Sequence, residues 1–138
     1  MTQLAFYKGR TRLFDKLVQF WLNEPYSHVE LIHGGLSYSS SMMDGGVRCK
    51  KIDYSHPERW DIVTLAYGDS NVVNWFQWHD SAAYDFRGLL GFVLPWETQD
   101  KRKYFCSEAV GASLGIINSH RLSPYGLYKE LQNENRLL

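Results

Sequence analysis

Two residues of this sequence have the chemistry of a nucleophile and its base, Cys106 in "YFCSEAV" and His28 in "YSHVEL". Cys106, Val110 and Leu114 follow helical spacing, which predicts a helix that begins near the cysteine. The N–H groups and the dipole at a helix start favour an anion, so they lower the pKa of a thiol placed there. The same N–H groups could hold the oxyanion that develops when a carbonyl is attacked. The pattern allows acyl transfer by a thiolate, but taken alone it favours a cysteine that is a small apolar side chain of the core.

A thiol nucleophile needs a base within hydrogen-bond reach, and the base needs a third group that orients it. His28 is the favoured base, because it alone among five histidines enters a predicted strand that could lie against a helix N-terminus. The other four have different surroundings: His33 lies in a predicted turn, His56 precedes a proline, His79 lies inside a predicted helix and His120 follows a helix end.

Four extended segments are predicted to supply the sheet. Residues 27–32 and 36–40 indicate a hairpin, because the glycines of "HGG" between them can adopt the positive φ values of a tight turn. Residues 47–52 and 61–67 are further predicted strands, bounded by turn residues. We expect these strands to form a mainly antiparallel sheet.

Helices are predicted before and after these strands. Apolar residues within 13–22 share a helical face, and residues 23–25 would end that helix. Further helices are predicted after Ser70, at Cys106 and after Ser123, which is followed by Pro124 at the first helical position. A helix, a meander of strands and then helices predict an α+β fold, with the sheet packed against helices.

Composition narrows the class of protein. The 138 residues predict a single domain, 1–138, and the 44% of apolar residues can form its core. Basic and acidic side chains number 15 each, so the charge pattern predicts no nucleic-acid partner. No segment approaches the roughly 18 apolar residues of a membrane span and no export signal is found, so we expect a chain without a transmembrane segment that is cytoplasmic as synthesised. Two cysteines are too few for a disulfide framework or a structural zinc site, and Cys49 is predicted to face inward.

Several short phrases, in their order along the chain, resemble the circularly permuted NlpC and papain-like cysteine hydrolases of the YiiX type. The phrases are "PYSHVEL", "GGV", "WDIVTL", "YDF", "YFCSEAV" and "SPYGLY". In this group the histidine strand precedes the cysteine helix, as His28 precedes Cys106 here. The resemblance implies a permuted papain-like (NlpC-like) fold, with Cys106 as nucleophile, His28 as general base and neither a metal nor an organic cofactor. "SSSMMDGGVR" also resembles short bacteriophage or prophage members of the group.

The resemblance leaves open which residue orients His28. In the group this residue comes from the strand after the histidine strand, often as a glutamate, but the matching "YSSSMMD" offers serines, of which Ser40 is the first choice. Glu30 is the alternative, because alternate residues of a strand point to the same face about 6 to 7 Å apart. A carboxylate stabilises imidazolium, which a serine hydroxyl does not. By the same resemblance, Tyr84 could line the pocket of the cysteine, or it could pack against the cysteine helix.

Together these expectations describe a hydrolase or acyl-transfer enzyme that cleaves an amide or ester through a thioester at Cys106. The wider group implies a peptide, a cell-wall peptide or an acyl lipid as the substrate. Two alternatives stay open. One is a catalytically silent binding or phage-assembly protein that retains the fold, and the other is a peptidoglycan peptide endopeptidase.

Overall fold

The computed structural model describes residues 1–10, 16, 19–20, 22–67, 71–80, 82 and 105–138. In these ranges the chain has an α+β architecture, with a five-stranded antiparallel sheet and three α-helices. The predicted α+β class and antiparallel sheet are therefore confirmed. No helix in this part of the chain is both long and apolar enough to cross a lipid bilayer.

The sheet is antiparallel throughout, and its order is β4-β3-β2-β1-β5. Its first strand was not predicted, and the expectation that a helix opens the fold is wrong. In that strand Leu4 and Phe6 are fully buried, so it contributes to the core between two other strands. The strands are β1 (Thr2–Tyr7), β2 (His28–His33), β3 (Leu36–Ser41), β4 (Gly46–Lys50) and β5 (Trp60–Thr64).

The predicted hairpin joins β2 to β3. His33 pairs with Leu36, so the loop consists of only two residues, Gly34 and Gly35. Their φ angles are 59° and 77°, both in the left-handed region that glycine tolerates and a type I′ turn requires. This turn fixes the register of β2 against β3, and thereby the face on which each side chain of β2 lies.

The helices are α1 (Asn71–Trp78), α2 (Cys106–Ser113) and α3 (Pro124–Asn133), with a 3₁₀ turn at Ser119–Arg121. As predicted, α3 begins with Pro124 after Ser123, whose hydroxyl oxygen accepts a hydrogen bond from the Gly126 N–H at 2.9 Å. Ser70 and most of the predicted helix at 13–22 lie outside the described residues. Residues 19, 20 and 22 are helical, and the helix ends near the predicted boundary, where Asn23 has a φ of 51° and the Glu24 N–H donates to the Gln19 carbonyl at 3.2 Å.

Strand alternation gives the sheet two different faces. One face carries apolar side chains such as Phe6, Val29 and Leu31, which pack in one core with residues of all three helices. Each such side chain that becomes fully buried stabilises the fold by about 1.5 to 3 kcal/mol. Glu30 alternates with these residues in β2, and its carboxylate contacts His28, the first residue of the strand.

The exposure of Cys49 contradicts a prediction from the sequence. Cys49 pairs with Tyr38 in the ladder but is exposed, whereas we expected it to face inward. The strand that carries it, β4, is an edge strand. Alternation sets the face of a side chain, but whether a helix covers that face depends on its position in the sheet.

Candidate active site

Cys106 is the first residue of α2, as the sequence predicts. Phe105 precedes it in an extended conformation, with φ −94° and ψ 171°, so the chain enters the helix at the cysteine. The Cys106 side chain is 4% exposed and belongs to the apolar core. The first N–H groups of a helix have no acceptor within the helix, so the N-terminus of α2 supplies donors beside the sulfur.

His28 is the first residue of β2, at the end of the sheet where the N-terminus of α2 also lies. Its ring interacts with the side chains of both Cys106 and Glu30. The contact with Glu30 joins His28 Nε2 to Glu30 Oε1 over 2.6 Å. An ionised carboxylate only accepts hydrogen bonds, so Nε2 carries the proton and Nδ1 is left for the thiol. The structure thus brings together a sulfur, an imidazole and a carboxylate from positions 106, 28 and 30.

The charges around the ring favour its protonated form. Burial of the ring lowers its pKa, but its electrostatic interactions with the side chains of Cys106 and Glu30 outweigh burial and raise the pKa of His28 to about 10. An imidazolium beside a sulfur is the form that stabilises a thiolate. The ring is 21% exposed, so it is partly open to solvent while its two partners are buried.

Glu30 is a buried carboxylate held by two cations. Its side chain is 1% exposed, and its two oxygens contact the guanidinium of Arg48, with Nη1 donating to Oε2 at 2.6 Å and Nη2 donating to Oε1. Burial raises the pKa of Glu30, but the hydrogen bonds and charges of Arg48 and His28 outweigh it, so the pKa lies below its ordinary value. Glu30 is therefore ionised beside the histidine ring.

The other two predicted site residues have different outcomes. Ser40 is fully buried in β3, where its partner in the ladder is Val47. Of the two candidates for orienting His28, Glu30 is the one whose contact with Nε2 the geometry defines. Tyr84 lies outside the described residues.

Aromatic residues flank this charged cluster. Tyr7 is the ladder partner of His28, and its ring lies 4.8 Å from that of Trp60. Tyr54 lies 5.0 Å from Trp60, and its hydroxyl is hydrogen-bonded to Ser37 at 2.8 Å. Three half-buried aromatic rings thus contact one another in series, starting from the ladder partner of His28.

Sequence reasoning missed Arg48 and these aromatic residues. Arg48 pairs with Ser39 across β3 and β4, and two residues of β3 separate Ser39 from the ladder pair His33 and Leu36. The sequence did contain a signal for this ion pair. An arginine that faces a buried glutamate from two strands away in the same sheet is a suitable partner for its charge. To recognise that signal, one must know the register of β2 against β3 and of β3 against β4.

A groove of about 700 Å³ lies elsewhere, at the C-terminal end of α2, lined by residues that include Tyr67, Leu114 and Arg136. Cys106 begins the same helix at its opposite end. Among the described residues, no group of three or more histidine, cysteine, aspartate or glutamate side chains could hold a metal ion.

A scan of the chain against protein-family models finds no match. A search of curated proteins also finds no match. The chemical interpretation of the site therefore depends on its geometry and its charges.

Proposed function

We propose that this protein is a cysteine hydrolase or acyl-transfer enzyme that acts on an amide or ester through a thioester at Cys106. The observation behind the proposal is the position of His28, whose ring contacts the Glu30 carboxylate over 2.6 Å and interacts electrostatically with the Cys106 side chain. A nucleophile, a base and a group that orients the base are the parts that thiol catalysis requires. In this proposal Cys106 attacks, His28 transfers protons, and Glu30 orients the ring and stabilises imidazolium.

The first half of the reaction forms the thioester. The electron pair of the Cys106 thiolate forms a C–S bond to the substrate carbonyl carbon, and the carbonyl π electrons move to oxygen. N–H groups at the start of α2, that of Cys106 among them, donate to this oxyanion. When the oxyanion collapses, the bond to the leaving amine or alcohol breaks, and the leaving group takes the Nδ1 proton of His28.

The second half releases the acyl group. A water molecule gives a proton to Nδ1 of the now neutral His28, and its oxygen attacks the thioester carbonyl. The C–S bond breaks, a carboxylic acid leaves, and the thiolate and imidazolium are restored. Glu30 keeps its hydrogen bond to Nε2 through both halves, so the ring does not need to reorient between proton transfers.

The order of the elements supports a permuted papain-like fold as part of this proposal. The histidine strand β2 precedes the cysteine helix α2 along the chain, as in the group that the sequence resembles. A peptide, a cell-wall peptide and an acyl lipid all present the carbonyl that this mechanism needs, and they remain the proposed substrate classes.

The reactivity of the two thiols in the wild-type protein tests the proposal, because Cys49 serves as an internal reference for Cys106. Cys49 is exposed and Cys106 is buried, so an inert Cys106 should react with iodoacetamide more slowly than Cys49. We expect the opposite order at pH 7, measured by mass spectrometry of each cysteine. The His28→Ala variant should slow Cys106 by about 100-fold or more, since proton transfer by a positioned base contributes about that much.

Acyl transfer is tested with p-nitrophenyl acetate. The wild type should release nitrophenol and carry an acetyl group on Cys106, whereas the Cys49→Ser variant should behave like the wild type. A Cys106 that alkylates more slowly than Cys49 and stays unacetylated would contradict the proposal, and would favour a silent binding protein. Rapid alkylation without acetylation would retain the activated thiol but exclude simple esters as substrates.

A further inference from the structure

We propose that Arg48 is a positioning residue of this site, which keeps Glu30 ionised and oriented towards His28. This inference rests on the proposed function, since it assigns a role within the same proton-transfer site. Arg48 lies on β4, two strands away from His28, and does not touch the reacting atoms.

All three guanidinium nitrogens of Arg48 contact carboxylate oxygens. Nη1 and Nη2 contact the two oxygens of Glu30, and Nε donates to Asp44 Oδ2 at 2.8 Å. The same Asp44 oxygen accepts from Lys50 Nζ at 2.6 Å. A planar guanidinium with hydrogen bonds at all three nitrogens is held in one orientation. In this orientation Glu30 Oε1 contacts both Arg48 and His28.

Glu30 requires this partner because water does not reach it. Its side chain is 1% exposed and that of Arg48 is 13% exposed, so solvent screens neither charge well. A buried carboxylate without a cation takes up a proton instead of staying ionised. His28 alone could supply one positive charge, but that charge is also required by the thiolate of Cys106.

Counting charges shows what Arg48 contributes. A thiolate, an imidazolium, a carboxylate and a guanidinium sum to zero, whereas the same site without Arg48 carries one net negative charge. Such a site binds an additional proton, on Glu30 or on the sulfur. The other titratable groups near these charges do not replace Arg48: Asp44 and Lys50 form an ion pair of zero net charge, and burial raises the pKa of Tyr54, which stays neutral.

The experiment is the pH dependence of iodoacetamide alkylation at Cys106, measured relative to glutathione. It uses the Cys49→Ser background, because Cys49 is exposed and adjoins Arg48 in the chain. In Arg48→Gln we expect the acid limb of the profile to move up by about one pH unit, so that alkylation slows about tenfold at a pH on that limb. Arg48→Lys keeps the charge but loses the paired hydrogen bonds of the guanidinium, so its profile should lie between the two.

Arg59→Gln is the matched control, since Arg59 is 45% exposed and its contact with Glu58 is 3.7 Å long. Its profile should coincide with that of the background protein. Circular dichroism establishes that each variant is folded at every pH used.

The outcomes separate the two proposals. If Arg48→Gln is folded and its profile matches the control while the background Cys106 is fast, Arg48 has only a structural role and the inference is overturned. If Cys106 of the background is no faster than glutathione, the proposed function fails, and the role of Arg48 fails with it. If Arg48→Gln does not fold, Arg48→Lys tests the proposal instead. An alkylation profile of Arg48→Lys that is not shifted from the background would show that the paired hydrogen bonds of the guanidinium have no role.

Discussion

Replacing Glu30 by glutamine should destabilise the protein far more than an equal change on the surface. Glutamine keeps the size of the side chain but removes the charge that faces both Arg48 and His28. Removal of one partner of a buried ion pair costs about 3 to 5 kcal/mol, since the other charge remains without compensation. The 1% exposure of Glu30 places it in that class and not among surface pairs, which contribute about 0 to 1 kcal/mol.

The loss is measured by urea unfolding at pH 7, followed by the fluorescence of the five tryptophans. For a chain of this size a slope of about 1.5 kcal/mol per molar urea is reasonable. A loss of about 3 kcal/mol then lowers the midpoint by about 2 M. Glu58→Gln is the control, because the side chain of Glu58 is 63% exposed, and its midpoint should barely change.

A double-mutant cycle identifies the source of the loss. Glu30→Gln combined with Arg48→Gln should be less destabilising than the sum of the single changes, by about 1 to 3 kcal/mol, because each single change removes a main partner of the other buried charge. If Glu30→Gln unfolds at the same urea concentration as Glu58→Gln, the carboxylate is not a buried ion-pair partner. The electrostatic account of the site would then be refuted.

Three further outcomes are expected. The pKa of His28 is raised from 6.5 to about 10, so the histidine contributes its full stabilisation below pH 6.5 and loses it as the pH rises towards 10. Cys106→Ser removes one cause of the raised pKa, so the loss should begin and end over a narrower pH range, as measured by urea unfolding at a series of pH values. Gly111→Ala should cost about 1 to 3 kcal/mol in urea unfolding, since the new Cβ would lie 2.7 Å from the Cβ of Ser119, and Ser119→Gly in the same chain should recover most of it. Ser123→Ala should lower the melting temperature through the loss of about 1 kcal/mol of N-capping, an effect that Ser123→Asn should not show.

Local sequence signals predicted the local features of the fold well. The two glycines after His33 specified a tight hairpin, and Ser123 with Pro124 specified the start of a helix, because a turn or a cap depends on a few neighbouring residues. The position of Cys106 at a helix start came from spacing in the same way. Each of these features is decided within one or two turns of chain.

Features that depend on distant contacts were missed. Leu4, Ala5 and Phe6 are consecutive apolar residues without alternation, a pattern that does not distinguish a buried strand from a helix, so β1 was not predicted. The choice between Ser40 and Glu30 required the register of three strands and the presence of Arg48. A buried glutamate is costly alone, and only the fold shows that a guanidinium offsets that cost.

The strands that carry His28, Glu30 and Arg48 all lie within residues 28–50, whereas Cys106 reaches them from a helix 78 positions after His28. On a growing polypeptide the charged cluster of His28, Glu30 and Arg48 can consequently assemble before α2 leaves the ribosome. Under the proposed function, the thiol would thus meet the ring that activates it only at a late step, when α2 packs against the sheet.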